Sequence, residues 1–140
     1  MANPNVLVAV DGSEASLRAL EYAGRKYGKS PGACLIVLNV QLPMPSSRYV
    51  SREAIADHHA RMSAVALKRA RALIRKLDLN AQCHVQVGDP AEVIAKFAKR
   101  TGCSEIVMGT RGLGRIAGLV LGSVATKVVH LASVPVTLVK

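Results

Sequence analysis

The chain alternates between continuous apolar runs and amphipathic stretches. The first run, residues 6–10, is typical of a strand buried on both faces of a parallel sheet. Ser13 then stands where an N-cap is expected, and apolar residues recur at helical spacing until Gly28, which predicts a first helix. A second apolar run, residues 34–40, predicts another buried strand, and a loop with two prolines follows over residues 41–47.

The middle of the chain predicts two more helices and a strand between them. A long helix is expected over residues 51–77, with an apolar face marked by Ile55, Met62, Ala66, Leu73 and Leu77. Residues 83–87 alternate weakly and predict a third strand. Asp89 and Pro90 suit the N-cap and first position of the next helix, and Gly102 suits its end.

Three further elements complete the pattern: a strand at 105–108, a helix at 124–132, and a last strand that starts at Pro135 and ends at Val139. Strands that alternate with helices over short connections require right-handed crossovers and a parallel sheet. The sequence therefore predicts a single α/β domain over residues 1–140. It is a doubly wound, five-stranded parallel sheet in the order 3-2-1-4-5, with helices on both faces.

The composition agrees with the α/β class and bears on the cellular compartment in which the protein is expected. The 140 residues are 50% hydrophobic, which is enough for a core without metal or disulfide staples. The first apolar run is too short for a signal peptide and has no basic segment ahead of it, so we expect a cytoplasmic protein. Three widely spaced cysteines without a CxxC pair are expected as apolar fillers. His58 and His59 lack a third ligand at metal spacing, so no metal site is predicted there.

The net charge of +10 raises the question of anionic partners. Nucleic acid is an unlikely partner on sequence grounds, because the four aromatic residues do not interleave with basic ones and no nucleic-acid signature is present. Much of the charge falls on the long helix at 51–77, where a solvated basic face is the simplest interpretation. No segment is apolar enough to cross a membrane.

The fold indicates where a ligand binds. In open parallel sheets, ligands occupy the crevice outside the carboxyl ends of the strands, at the point where the strand order reverses. Asp11, Val40 and Gly109 stand at the ends of the first, second and fourth predicted strands. If the order is 3-2-1-4-5, these three residues surround one pocket. For Asp11 the alternative is a carboxylate that only caps the first helix.

A glycine-rich segment, residues 109–123, carries five of the eleven glycines and leads from a strand into a helix that opens at Gly122 and Ser123. This arrangement suits phosphate binding, because free backbone N–H groups and the positive helix end converge there. Glycine admits an anion to the backbone, and a positive φ at Gly112 or Gly122 would be a second reason for glycine there. Arg111 and Arg115 can add positive charge, although a loop arginine without a partner is more often exposed and idle.

Other interpretations of the glycine segment are weaker. A Walker A loop needs lysine before Ser123, and glycine stands there. The run Gly112-Leu113-Gly114 matches the start of a dinucleotide fingerprint, but it follows the fourth strand and no acidic residue stands about 20 residues later. The remaining alternative is a loop that binds nothing.

The spacing Gly109-x2-Gly112-x9-Gly122-Ser123 resembles the nucleotide-binding motif of the universal stress protein family, in its ATP-binding subgroup. The likeness extends over the whole chain. It implies that adenine meets the ends of the first two strands and that the glycine segment takes ribose and phosphates, with the Ser123 hydroxyl donating to a phosphate oxygen. The binding residues that the resemblance implies are Ala9, Asp11, Val40, Met108, Gly109, Arg111, Gly112, Gly122, Ser123 and Val124.

The expected function is therefore that of an ATP-binding stress-response or signalling module with little or no hydrolysis. ADP and AMP are alternative ligands, and Mg²⁺ or Mn²⁺ would be held only through the phosphates. No catalytic residue is predicted, because no base stands on a strand end near the loop. A slow ATPase or nucleotidyl transferase, and a basic adaptor for nucleic acid or an acidic protein, remain as alternatives. The exposed edge of the last strand, residues 135–139, predicts a homodimer.

Overall fold

The computed structural model describes residues 4–112 and 121–140. The strands and helices found there are β1 (Asn5–Ala9), α1 (Glu14–Tyr27), β2 (Cys34–Gln41), α2 (Arg52–Lys76), β3 (Ala81–Val87), α3 (Pro90–Arg100), β4 (Cys103–Gly109), α4 (Ser123–Leu131) and β5 (Val136–Val139). The five strands form one parallel sheet in the order β3-β2-β1-β4-β5. The predicted α/β class and strand order are confirmed.

Two cores cover the two faces of the sheet. Successive residues of a strand point to opposite faces, and β1 follows this rule: Val6 and Val8 lie in the core beneath α1 and α2, whereas Leu7 lies in the core beneath α3 and α4. All three are fully buried. The apolar run that predicted a doubly covered strand therefore has this physical basis.

Helix starts follow local capping. The Ser13 hydroxyl accepts a hydrogen bond from the Ser16 N–H at the start of α1, and Ser51 does the same for Ala54 at the start of α2. Asp89 accepts from the Glu92 N–H at the start of α3. These short polar side chains satisfy N–H groups that a first helical turn leaves without partners.

Several predicted bounds of strands and helices were wrong. β1 runs from Asn5 to Ala9, one position earlier than expected, and α4 begins at Ser123 rather than at Val124. β5 begins at Val136, although the Pro135 carbonyl still accepts from the Ile106 N–H (2.9 Å).

The buried face of α2 also differs from the prediction. Met62 was expected in the core and is 45% exposed, whereas the neighbouring Ser63 is buried together with Leu67 and Ala70. The buried positions are thus shifted by one residue in the middle of α2, from Met62 and Ala66 to Ser63 and Leu67, whereas Leu73 packs against the same core as predicted.

β4 starts two residues earlier than predicted, at Cys103, and it carries a buried carboxylate. Glu105 is 9% exposed and accepts hydrogen bonds from the hydroxyls of Tyr27 and Thr137, the second at 2.7 Å. Lys26 Nζ lies 3.8 Å from the same carboxylate. Burial and the adjoining Glu105 raise the pKa of Tyr27. The cluster joins α1, β4 and β5 near the start of β4, away from its carboxyl end.

The topology sets the place for a ligand. β1 pairs with β2 on one side and with β4 on the other, so the chain leaves β1 and β4 toward opposite faces of the sheet. The loops that follow these strands separate at their carboxyl ends and leave a crevice between them.

Candidate functional site

A cleft of about 370 Å³ opens at this crevice. The ends of β1, β2 and β4 form its floor, and the first turns of α3 and α4 form its walls. Its volume falls within the range of about 300–1,000 Å³ usual for small-ligand sites. All ten residues proposed from the sequence line it. The other lining residues are Val10, Ser13, Ser16, Leu38, Leu42, Pro90, Ile94, Thr110 and Ala125.

One end of the cleft is apolar. Leu38 and Val40, on alternate positions of β2, face it together with Met108 of β4 and Ile94 of α3. Leu38, Ile94 and Met108 belong to the core beneath α3 and α4, and Val40 packs against that core. The cleft is therefore an opening of this core at the carboxyl ends of the strands. Its apolar end can pack against a flat aromatic ring.

Asp11 is fixed by the start of α1. The Ser13 N–H donates to Oδ1 of Asp11 (2.9 Å), and the Asp11 N–H donates to the Ser16 hydroxyl oxygen (3.3 Å). Its other carboxylate oxygen faces the glycine segment, because a Cβ on Gly112 would lie 2.6 Å from Oδ2. Asp11 thus orders the turn before α1 through one oxygen and presents the second to the cleft, whereas the N-cap of α1 is Ser13.

The opposite end of the cleft is the N-terminus of α4. Gly122 is its N-cap and supplies no side-chain hydrogen bond, and no acidic residue lies in the first turn. The first N–H bonded within the helix is that of Thr126, which donates to the Gly122 carbonyl (3.0 Å). The N–H groups of Ser123, Val124 and Ala125 therefore lack helical partners, and the positive end of the helix dipole adds to them. This turn can bind an anion.

Two of the motif glycines, Gly109 and Gly122, lie against neighbouring parts of the chain. A Cβ on Gly109 would lie 2.8 Å from the Ala15 Cβ, so this glycine lets α1 pack on the end of β4. A Cβ on Gly122 would lie 3.3 Å from the Thr110 carbonyl oxygen, which accepts from the Gly122 N–H (2.6 Å). A positive φ, considered for Gly112 and Gly122, is found at neither, and Gly122 has φ −72°. Close approach of neighbouring backbone is the reason for glycine here.

The two walls of the cleft are tied together on the outside. Lys127 of α4 lies 3.1 Å from Asp89 and 3.6 Å from Glu92 at the start of α3. The Glu92 N–H and the Lys127 ammonium hold the pKa of Asp89 below its usual value. This exposed cluster fixes the first turn of α3 beside the first turns of α4.

The described lining contains few charged groups. Asp11 is its single carboxylate and Arg111 its single cationic side chain. Within residues 4–112 and 121–140, no group of three side chains is arranged to hold a metal ion. Arg115, also considered as a source of positive charge, lies outside the described residues, as do Gly114 and Gly118. General acid–base chemistry therefore has no candidate pair in the described part of the cleft.

Sequence reasoning missed several lining residues. Leu42 continues the alternation of Leu38 and Val40 beyond the end of β2, a signal that was present in the sequence. Pro90 and Ile94 stand four positions apart on one face of α3 and so enter the cleft together. Asn39 is buried just behind the floor, and its Nδ2 donates to the Val10 carbonyl (2.8 Å), which fixes the end of β1.

Comparison with known proteins gives a consistent relationship. The model of the universal stress protein family matches residues 3–140. A universal stress protein of Thermus aquaticus is 35% identical over 137 residues, which cover 96% of this chain and 97% of the relative. Within the part of the chain that the structure describes, no helix is long and apolar enough to span a membrane.

Two solved relatives carry adenine nucleotides. A universal stress protein in complex with cAMP has a TM-score of 0.75 at 28% identity, with 100% of this chain and 99% of that one covered. The universal stress protein of Archaeoglobus fulgidus in complex with dAMP has a TM-score of 0.69 at 26% identity, with 100% of both chains covered. The present chain belongs to the universal stress protein family.

Proposed function

We propose that this member of the universal stress protein family binds an adenine nucleotide in the cleft, with ATP as the principal ligand. One nucleotide-binding domain spans the chain, and its output is a nucleotide-dependent conformation or partner interaction in the stress response. The observation that carries the proposal is the pairing, within one cleft, of an apolar end on β2 and, on α4, a helix N-terminus whose N-cap supplies no side-chain hydrogen bond. A nucleotide has the same two chemistries at its two ends.

The base end supports an aromatic ligand. Val40 and Ala9 lie at the ends of adjacent strands, with Met108 on the next strand, so their side chains and backbone form a continuous floor. Burial of an adenine ring against such a floor yields roughly 25 cal/mol per Å² of apolar surface. Backbone groups at strand ends supply the hydrogen bonds that distinguish one base edge from another.

The phosphate end supports a charged ligand. The N–H groups of Ser123 and Val124, which have no partner within α4, lie at its start, and Gly122 leaves room beside them. Arg111 lines the same end of the loop. A phosphate oxygen would also accept from the Ser123 hydroxyl, which is exposed at the surface of the cleft. Asp11, on the other side, is placed to accept from a ribose hydroxyl.

Little or no hydrolysis accompanies binding in this proposal. Phosphoryl transfer needs a positioned nucleophile and cations around the transferred group. In the described lining, the Asp11 carboxylate is engaged with the Ser13 N–H and no lysine is present. Mg²⁺ or Mn²⁺ fits the site only as a companion of the phosphates, because a single carboxylate makes no cage for a hard cation.

We also propose that the protein is a cytoplasmic homodimer. β5 is an edge strand, so one side of its backbone has no partner within the sheet. Val136, Leu138 and Val139 remain half-buried there, and pairing with a second copy would bury them further. The three free cysteines fit a reducing compartment.

A titration of adenosine and ATP tests the two-ended site. Ser123→Ala removes a hydrogen bond to a charged acceptor, so ATP affinity should fall about 10- to 150-fold. Adenosine lacks phosphates, and its affinity should barely change. Thr126→Ala, one turn later on α4, is the matched control and should leave both affinities intact. Equal losses for ATP and adenosine in Ser123→Ala would contradict the proposed orientation.

A further inference from the structure

Alternate residues of β2 lead from the core to the rim of the cleft. Leu38 is 1% exposed, Val40 is half-buried, and Leu42, one residue past the strand, is 67% exposed. All three line the cleft. An extended chain places alternate side chains on one face about 7 Å apart. The series therefore ends in a large apolar side chain that stands at the cleft mouth in water.

The backbone on both sides of Leu42 is anchored. His59 Nε2 of α2 lies 3.0 Å from the Leu42 carbonyl oxygen. A carbonyl oxygen only accepts hydrogen bonds, so Nε2 must carry the proton, in the neutral ring or in the imidazolium. The Gly88 N–H donates to the Gln41 carbonyl (3.0 Å) on the other side. Leu42 is thus held in position by α2 and by the end of β3 rather than by its own side chain.

An anchored, exposed leucine at a ligand site favours binding. Its exposure in the free protein means that apolar surface remains to be covered when a ligand enters. Because its backbone is already fixed, little conformational entropy is lost on binding. If the leucine stood on a flexible loop, the entropy cost of ordering that loop would offset more of the free energy gained by covering its side chain.

We infer that Leu42 is the outer contact of the nucleobase and that His59 is the residue that positions it, an inference that rests on the proposed function. A base lying along β2 has to reach from Val40 to Leu42 to cover both. The two fused rings of a purine span this distance better than the single ring of a pyrimidine does. Leu42 therefore contributes to selection of purine nucleotides.

The test measures nucleoside and nucleotide affinity by calorimetry in single variants. Leu42→Ala should lower the affinities for adenosine and ATP by the same factor, about three- to tenfold. This factor is the loss expected when a ligand no longer partly buries one leucine side chain. The ratio of adenosine to cytidine affinity should fall with it. The melting temperature without ligand should stay unchanged, because the side chain is mostly exposed. A merely structural role would shift that temperature.

The positioning role has its own variants. His59→Ala should weaken adenosine in the same direction but less, and His59→Gln should restore most of the affinity, because the glutamine amide can donate to the same carbonyl. His58→Ala is the matched control, since it removes the adjoining ring, 5.8 Å away, and leaves the hydrogen bond to Leu42 in place. Unchanged affinity in His59→Ala would contradict the positioning role.

The outcomes separate this inference from the proposed function. If the wild-type protein binds ATP and Leu42→Ala binds adenosine equally well, the base does not reach Leu42 and the inference is wrong. If the wild-type protein binds neither ligand, the proposed function itself fails. An unchanged ratio of adenosine to cytidine affinity in Leu42→Ala would refute the selection of purines.

Discussion

Gly109 tests whether a glycine of the motif serves packing rather than ligand binding. Its ideal Cβ would lie 2.8 Å from the Ala15 Cβ and 2.9 Å from the Ala15 carbonyl carbon. These atoms belong to α1, so Gly109→Ala is relieved only if the helix moves away from β4. A Cβ on Gly112 would instead meet Oδ2 of Asp11 at 2.6 Å, and rotation of that carboxylate relieves the clash.

The expected cost follows from this difference. Overpacking a well-packed interface costs about 1–3 kcal/mol. The lost flexibility of the unfolded chain offsets about 0.4–1 kcal/mol of it. For a chain of this length, about 1 kcal/mol corresponds to a change of about 4 °C in melting temperature. The central values of these ranges leave a net loss of about 1.3 kcal/mol, so Gly109→Ala should melt about 5 °C lower than the wild type. Gly112→Ala disturbs at most the hydrogen bond from Ser13 to Asp11, worth about 1 kcal/mol.

Thermal and urea denaturation compare the stabilities of Gly109→Ala and Gly112→Ala. Calorimetric titration, at a temperature where each variant is folded, compares their affinities for ATP. Gly109→Ala should lose more stability, and Gly112→Ala should lose more ATP affinity relative to its loss of stability. Wild-type stability in Gly109→Ala, or a larger loss of stability in Gly112→Ala, would refute the assignment of Gly109 to helix packing.

Three further predictions concern the rest of the molecule. Tyr27→Phe removes a donor from buried Glu105 and should cost about 1.5 kcal/mol at pH 7. The folded-state pKa of Tyr27 is raised, so its contribution to stability is complete below about pH 10 and is lost as the pH rises through that pKa. In urea denaturation from pH 8 to 11, the free energy of unfolding should therefore decline less in Tyr27→Phe than in the wild type. Sedimentation at high micromolar concentration should show a dimer; a monomer there would contradict pairing of β5. Phosphate release with Mg²⁺ or Mn²⁺ should stay far below the roughly 1–100 per second of kinases, and a rate in that range would favour the enzyme alternative.

The alternation of strands and helices was readable from the sequence because the central strands are continuous apolar runs between helices of period 3.6. The order of strands in the sheet followed from the doubly wound class that this alternation predicts. The start of β4 was predicted two residues late, because the polar Ser104 separates Cys103 from the rest of the run. Glu105 was included in the predicted strand, but its burial was not foreseen. Burial of Glu105 depends on Tyr27, 78 positions away, and on Thr137, 32 positions away. No local pattern can indicate partners at such separations.

The site residues were predicted from strand ends and from the family motif, and the cleft brings all ten together; their role in binding stays a prediction. The separate role of Gly109 was hidden, because it depends on where α1 crosses β4. The anchoring of Leu42 was hidden for a similar reason, since His59 approaches it only through the placement of α2. The spacing of residues along the chain identifies a motif, whereas the structural role of each glycine in it depends on the residues that surround it in the fold.

Binding of ATP to the wild-type protein and to Gly122→Val tests the central claim most directly. In Gly122→Val the branched side chain would crowd the Thr110 carbonyl, 3.3 Å from an ideal Cβ, and the space beside the first turn of α4. Calorimetry should find one ATP site per chain in the wild type and no measurable binding in the variant, while circular dichroism still reports a folded α/β protein. Unchanged ATP binding by folded Gly122→Val would place the nucleotide elsewhere and contradict the account.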